Sequence, residues 1–264
     1  MKNSFFFIAL LLLIAACSPY QKALKSEDTM VKVAMIDTLM KKGKYGKSIA
    51  LFDQVKNKYR GTDSAATMAL KYAKALYEDE TYILSANQYE RFTTSHPTNP
   101  ERDMASFMAA KSHYQMSELY SKDQRNTQIA LVKLQDYINL YPNGEYTDEA
   151  NVLVDELRTK LDKKAFEIAR NYHHRERYIP AIESFENFII EHPGSSYQDD
   201  AHFYLLDSEF EYAILSREEK VAGRLKLAKK YYDTFARRFP DSEYMEDANE
   251  ILQRINAYEL ETEI

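Results

Sequence analysis

Residues 178–201 read YIPAIESFENFIIEHPGSSYQDDA, and this stretch decides the fold. Within it Tyr178, Ala181, Phe185, Phe188 and His192 recur three and four residues apart, the step that brings side chains to one face of an α-helix. Pro193 closes that helix, and a short polar turn leads to a second one carrying Tyr197 and Ala201. The small Ala181 admits a neighbouring helix, and the two phenylalanines fill the space beside it. Such a unit cannot bury its apolar face alone; it needs copies of itself.

The copies are present in register. Leu225, Ala228, Tyr232, Phe235, Phe239-Pro240, Tyr244 and Ala248 repeat the pattern, as do Thr127, Ala130, Leu134, Tyr137, Tyr141-Pro142, Tyr146 and Ala150. Earlier come Tyr82, Ser85, Tyr89, Phe92 and His96-Pro97, with Ala105 eight residues past the proline. The first copy departs most: Tyr45, Ser48, Phe52, Val55 and Tyr59 are followed by Arg60 where the others carry proline. The A-x3-F…P core is the tetratricopeptide signature, although the chain has no Trp and its units exceed the usual length of about 34 residues. Five matches in phase specify an all-α fold, an α-solenoid of five tetratricopeptide-like helical hairpins plus a C-terminal capping helix. The hairpins are expected to break near Arg60, Pro97, Pro142, Pro193 and Pro240.

The 264 residues suit such a stack, which grows without a single central core. Only six glycines argue against long flexible linkers. A net charge of −6 with no evident basic stripe argues against nucleic acid as a partner.

The chain begins differently. Lys2 precedes an apolar run over residues 5–16, too short to span a membrane and of the length of a signal-peptide core. Ile14-Ala15-Ala16-Cys17 follows and resembles the lipobox of bacterial lipoproteins. That resemblance implies cleavage before Cys17, the only cysteine, and acylation of its thiol and amine; a plain secretory peptide with an accidental cysteine is the alternative. Residues 1–16 are thus read as the lipoprotein signal peptide and residues 17–27 as a lipidated tether. No acidic residue directly follows Cys17, a pattern that favours a periplasm-facing domain.

Residues 28–145 form the expected N-terminal tetratricopeptide-like half. Its first helix covers residues 28–42 and directs Val31, Ala34, Met35, Ile36, Leu39 and Met40 toward its partner; Gly43 ends it. Met104, Phe107, Met108 and Met116 read as packing residues, with an adaptable binding surface as the alternative, and residues 121–127 as a polar insertion. Residues 146–174 contain neither Gly nor Pro, and Ala150, Val154, Leu157, Leu161, Ala165, Ile168 and Tyr172 mark one stripe. They predict a long connecting helix of roughly 43 Å, at about 1.5 Å per residue, shared by both halves. Residues 175–264 form the C-terminal half, closed by a capping helix over residues 245–260 with Ala248, Ile251, Leu252 and Ile255 inward.

Signals for enzyme chemistry are weak in the sequence. There is no Gly-rich phosphate loop, G-x-S-x-G or H-E-x-x-H. His96 and His192 share their register with Tyr59, Tyr141 and Phe239 and read as packing residues before a break. His173 and His174 point about 100° apart on a helix and make a poor metal pair. The chain is therefore expected to have no catalytic, cofactor-binding or metal-binding residues and no cofactor, which leaves Cys17 as its one assigned site. Of the 21 tyrosines, some are expected to line a groove suited to peptides.

A lipobox followed by five such hairpins resembles the competence-lipoprotein family, lipoprotein subunits of the outer-membrane β-barrel assembly machine. The resemblance rests on Asp123-Gln124-x2-Thr127, on Tyr141-Pro142-Asn143-Gly144-Glu145-Tyr146-x3-Ala150, and on Leu157-Arg158-x2-Leu161-x2-Lys164-x4-Ala169-x2-Tyr172. Tyr59-Arg60-Gly61-Thr62-Asp63 looks like a variant first-hairpin ending of one branch. The resemblance implies a noncatalytic scaffold on the periplasmic face of the outer membrane, held there by its lipid anchor. Its implied partners are the periplasmic domains of the barrel assembly protein, other subunits of the machine, and unfolded outer-membrane proteins. Of the family's functional residues only Cys17 can be carried over; its partner-contacting arginine has no placed match here. Two other readings stand beside it: a tetratricopeptide lipoprotein that scaffolds envelope proteases or division proteins, and a cell-wall enzyme on a helical solenoid.

Overall fold

A computed structural model describes residues 18–262 of the chain. The signal peptide and Cys17 lie outside the described residues. Within them the structure is helical with no strand: α1 (Pro19–Lys25), α2 (Thr29–Lys41), α3 (Tyr45–Val55) with a 3-10 turn (Lys56–Tyr59), α4 (Ala65–Glu78), α5 (Tyr82–Ser95), α6 (Arg102–Gln115), α7 (Arg125–Leu140), α8 (Thr147–His174), α9 (Tyr178–Glu191), α10 (Gln198–Ile214), α11 (Glu218–Arg238) and α12 (Met245–Thr262). Helices α5, α7, α9 and α11 end two residues before their expected breaks, and α3 ends five residues before Arg60. Proline explains four of these ends, since it offers no N–H and bars its predecessor from the helical region. At the fifth, Gly61 takes φ +74°, a conformation costly for any residue with a Cβ.

The chain divides into two compact units: residues 18–118 with Gln124–Val154, and Leu119–Asp123 with residues 155–262. In each, helices pack mainly on their neighbours in sequence. In the first unit one cluster gathers Ile36, Leu39, Leu51, Phe52, Val55, Met68, Tyr72 and Leu76, and a second gathers Tyr89, Phe92, Ala105 and Ala109, with Met104 and Met108 packed against it. In the second unit Phe166, Ala169, Ala181, Phe185 and Phe188 form one cluster; Phe203, Phe210, Leu225, Ala228, Phe235, Ala248, Ile251 and Ile255 form the next. The small repeat position lies inside the core. Ala130, Ala181 and Ala228 are fully buried, and Ser85, which stands in for alanine, donates its hydroxyl to the Ala73 carbonyl at 3.1 Å.

One contact recurs between hairpins. The tyrosine after each of the break prolines Pro142, Pro193 and Pro240 stacks on a phenylalanine of the preceding hairpin: Tyr146 on Phe107 (4.9 Å, 8°), Tyr197 on Phe166 (5.1 Å, 15°) and Tyr244 on Phe203 (4.5 Å, 12°). These pairs tie one hairpin to the next beyond plain area burial.

Three sequence expectations need correction. Residues 17–27 are not all tether: Pro19 starts α1, whose first turn is capped by the Ser18 hydroxyl accepting from the Gln21 N–H, and Ala23 is buried while Tyr20 and Leu24 pack on the first cluster. On α2, Val31 and Ala34 are exposed; the buried face runs through Val33, Ile36 and Leu39, because α1 and α3 both pack on it. On α8, Ile168 and Tyr172 are exposed, and the cluster of the second unit takes Phe166 and Ala169 instead. A single stripe was the wrong picture for a helix whose two segments serve different clusters.

Candidate functional site

A cleft of roughly 420 Å3 in the first unit opens between the end of α3 and helices α4 and α5. Its floor is aromatic and thioether: Phe52 and Phe92 are buried, with Met68 and Tyr72 beside them. Phe52 and Tyr72 meet ring to ring at 5.4 Å. Its rim is polar and basic, with Lys56, Asn57, Arg60, Gln88, Arg91 and His96. The cleft exists because this hairpin lacks the proline of the others: α3 tightens into the 3-10 turn and Arg60 continues as extended chain. That frees the space which a following proline turn and its tyrosine would close.

The electrostatics are organised around Asp53. It accepts hydrogen bonds from the Lys56 ammonium at 2.7 Å and the Tyr72 hydroxyl at 2.8 Å, and the ammonium also lies 5.1 Å from the Tyr72 ring centre. Burial alone would raise the Asp53 pKa, but the two hydrogen bonds and the Lys56 charge outweigh it and leave the carboxyl below its ordinary value. The hydrogen bond that Lys56 donates to Asp53 holds Lys56 above its ordinary value despite some burial, and burial together with Asp53 raises Tyr72. Lys56 is thus internally neutralised, whereas Arg60 and Arg91 are the cations left at the rim. A basic rim over an apolar, aromatic floor suits an extended peptide that offers a large side chain and a carboxylate.

The residues behind the family resemblance hold the scaffold. Tyr137 donates to Asp103 Oδ1 at 2.7 Å, and Asp103 Oδ2 accepts the Glu145 N–H at 3.3 Å. Gly144 sits between them, where a Cβ would stand 2.8–2.9 Å from Tyr141, Asp103 and Tyr137. Thr127 Oγ1 meets Gln124 Oε1 at 2.8 Å. The Lys164 ammonium donates to the carbonyls of Tyr120 and Lys122 at 3.2 and 2.7 Å, which pins the polar insertion.

The histidines fall where the register puts them. His96 lies 5.0 Å from the Phe92 ring, and His192 stacks on Phe188 at 4.9 Å with Nδ1 2.8 Å from Asp162 Oδ1. His173 does more than sit at a helix end. Its Nδ1 is 3.0 Å from Ser208 Oγ and its Nε2 3.3 Å from Asp207 Oδ2, and burial lowers its pKa to about 4. Ser208 is fully buried, so its contact with His173 ties α8 to α10 from within. Among the described residues no cluster of three or more His, Cys, Asp or Glu has metal-binding geometry, and no helix is long and apolar enough to cross a membrane. Sequence reasoning found a groove-lining role for tyrosines in general, but the cleft lies beside the one irregular repeat. The missing proline at Arg60 was its only signal.

The family model described as "YfiO: Outer membrane lipoprotein" matches residues 34–207. Three curated relatives share the name outer membrane protein assembly factor BamD. The Caulobacter vibrioides protein is 25% identical over 167 residues, which cover 63% of this chain and 55% of that protein. The Rickettsia prowazekii protein is 24% identical over 206 residues, 78% of each chain, and the Pasteurella multocida protein 22% identical over 205 residues, 73% of this chain and 78% of its own. Among solved structures a human IFIT1 dimer with PPP-AAAA covers 85% of this chain and 59% of its own at 15% identity, with a TM-score of 0.28, too low to speak for the fold.

Proposed function

Because the chain belongs to the YfiO family of outer membrane lipoproteins, we propose that it is a noncatalytic scaffold for the assembly of β-barrel proteins at the outer membrane. Its relatives carry the name of outer membrane protein assembly factors. The observation that carries the reading to a mechanism is the cleft of the first unit. Phe52, Met68, Tyr72 and Phe92 supply a dry seat, and Arg60 and Arg91 supply charge at its rim. An unfolded barrel strand alternates apolar or aromatic with polar side chains, so one extended segment can seat a ring in the cleft and keep its polar face in water. Acyl chains on Cys17 keep the scaffold on the periplasmic face of the membrane that receives the product, and two or more chains make such an anchor stable.

The family resemblance, together with repeat quality, supports a division of labour. Hairpins one and two, residues 28–97, with Ser48 and Arg60 at repeat positions of the first, receive variable extended peptides; residues 178–260 carry the most regular repeats and offer the constant surface on which the barrel assembly protein docks. Affinity purification after cross-linking in the native cell tests the reading: the barrel assembly protein should be the main partner. Recovery of an envelope protease or a division protein in its place would replace the reading with that of a different adaptor. A chain ending at His174, once shown to be soluble and helical, should keep binding unfolded barrel peptides and lose the assembly protein; undiminished retention of that protein would reverse the assignment.

A further inference from the structure

The net charge of −6 conceals a sharp division along the chain. Residues 18–60 carry ten Lys and Arg against four Asp and Glu, whereas residues 61–264 carry 24 against 37. The basic excess belongs to α1 and the first hairpin. Of the four acidic residues there, Asp37 is tied to Lys71 at 2.6 Å, Asp53 to Lys56, and Asp28 caps α2 by accepting the Met30 N–H. Lys22, Lys25, Lys41, Lys42, Lys44 and Lys47 are exposed, and none of them is held by a carboxylate. One lysine in the last turn of α2 would satisfy its terminal carbonyls; Lys42 and Lys44, which follow that turn, exceed this need.

The placement of these lysines matters as much as their number. The Lys47 ammonium lies 5.2 Å from the ring centre of Tyr20, so the first turn of α1 sits beside the α2–α3 turn that carries Lys41, Lys42 and Lys44. Tyr20 is three residues from Cys17, and a fully extended chain spans at most about 3.6 Å per residue. The point where the chain would enter the lipid is therefore within roughly 11 Å of Tyr20, the residue beside which this lysine cluster begins. The basic surface also has an edge: Glu78, Asp79 and Glu80 close α4 and its turn, and Asp79 lies against Gly46.

We propose that the lysines of α1 and of the α2–α3 turn form a docking surface for an anionic phospholipid bilayer. This surface seats the first unit on the membrane beside its own anchor. The proposal takes from the lipid-anchor reading only the choice of a bilayer as occupant. The charge and its position select the anionic headgroup, since a basic patch beside an acyl chain is the second signal that fixes such a protein at a membrane surface. The acidic remainder of the chain is repelled by the same surface, so the electrostatics also orient the molecule.

The test uses the full mature chain with Cys17→Ser, which removes acylation and leaves the protein part alone. Co-sedimentation is measured with vesicles of phosphatidylcholine alone and of phosphatidylcholine mixed equally with phosphatidylglycerol. Binding should require phosphatidylglycerol and weaken steeply with added salt. A lysine at an anionic surface is worth roughly fivefold in affinity, so K41Q/K42Q/K44Q/K47Q together should lose roughly 100-fold or more. A control with K220Q/K226Q/K230Q, exposed on α11, should bind as the parent does. Circular dichroism should show both variants fully helical, since every altered side chain is exposed. The proposal is overturned if the parent ignores phosphatidylglycerol, if the first set binds within twofold of the parent, or if the control loses as much. It is overturned as well if the first set keeps vesicle binding and instead loses an acidic protein partner. None of these outcomes bears on whether the chain assists barrel assembly, which the cross-linking experiment decides.

Discussion

Substituting Gly144 by alanine probes the packing logic at one atom. The added Cβ would sit 2.8 Å from Tyr141 Cβ, 2.9 Å from Asp103 Oδ2 and 2.9 Å from the Tyr137 hydroxyl oxygen. None of these atoms retreats cheaply. Asp103 is held by the Tyr137 hydroxyl and the Glu145 N–H, and Tyr141 follows the end of α7, with its carbonyl accepting the Gly144 N–H at 3.0 Å. Forced overpacking costs about 1–3 kcal/mol, and breaking one or two hydrogen bonds adds about 1 kcal/mol each. The stiffer unfolded chain returns roughly 0.4–1 kcal/mol. The net expectation is a loss of about 2–4 kcal/mol. Gly194, in the turn after Pro193, is the internal control: nothing lies within 4 Å of its Cβ position and its φ is not left-handed. Gly194→Ala should be neutral or stabilising by up to about 1 kcal/mol. Because repeat arrays need not unfold in one step, the readout is native-state hydrogen exchange resolved to α6 and α7. Exchange there should speed by roughly 30- to 900-fold in the Gly144 variant and stay at the parental rate in the Gly194 variant. Equal behaviour of the two would refute the idea that the Gly144 turn is fixed by close approach.

Further expectations concern the second unit and the anchor. Phe185 is fully buried against Phe166 and stacks on Tyr204 at 5.9 Å, so Phe185→Ala should cost about 3–5 kcal/mol; a cost near zero in urea melts of the second unit means the register is wrong. Glu209 is 4% exposed, and burial raises its pKa to about 7. The folded state thus holds its proton more tightly than the unfolded chain, so stability is greatest below about pH 4.5 on this account and falls as pH rises toward 7. Glu209→Gln should therefore stabilise the protein at pH 8 by an amount on the order of 2 kcal/mol and change little at pH 4; an unchanged difference between the two pH values contradicts the burial argument. Cys17→Ala should abolish acylation without altering the helical body, and mass spectrometry that finds an unmodified Cys17 in the parent removes the anchor from the account.

What the sequence made legible was whatever repeats. The breaks at Pro97, Pro142, Pro193 and Pro240 and the burial of Phe185, Phe188, Phe235 and Ala248 follow from one spacing seen several times. Features that depend on contacts between hairpins escaped it. The stacking of Tyr146, Tyr197 and Tyr244 joins residues tens of positions apart, and the crowding at Gly144 depends on Asp103 of another helix. Helix α1 is too short for periodicity to speak, and its seven residues fold because Pro19, the Ser18 cap and the first cluster agree locally. The cleft was visible only as a missing proline at Arg60. The basic first hairpin was hidden by arithmetic, since a whole-chain charge averages over the very asymmetry that matters.

The claim that the first unit receives unfolded barrel segments is tested most directly by placing a photo-reactive amino acid, one position at a time, at Asn57, Gln88 and Ser95 on the rim of the cleft and at Glu250 on α12. Each protein is irradiated with a labelled peptide from a barrel strand. The account predicts peptide adducts from the three cleft positions, suppressed when Arg60 and Arg91 are both replaced by glutamine, and none from Glu250. Adducts from Glu250 with none from the cleft would contradict it.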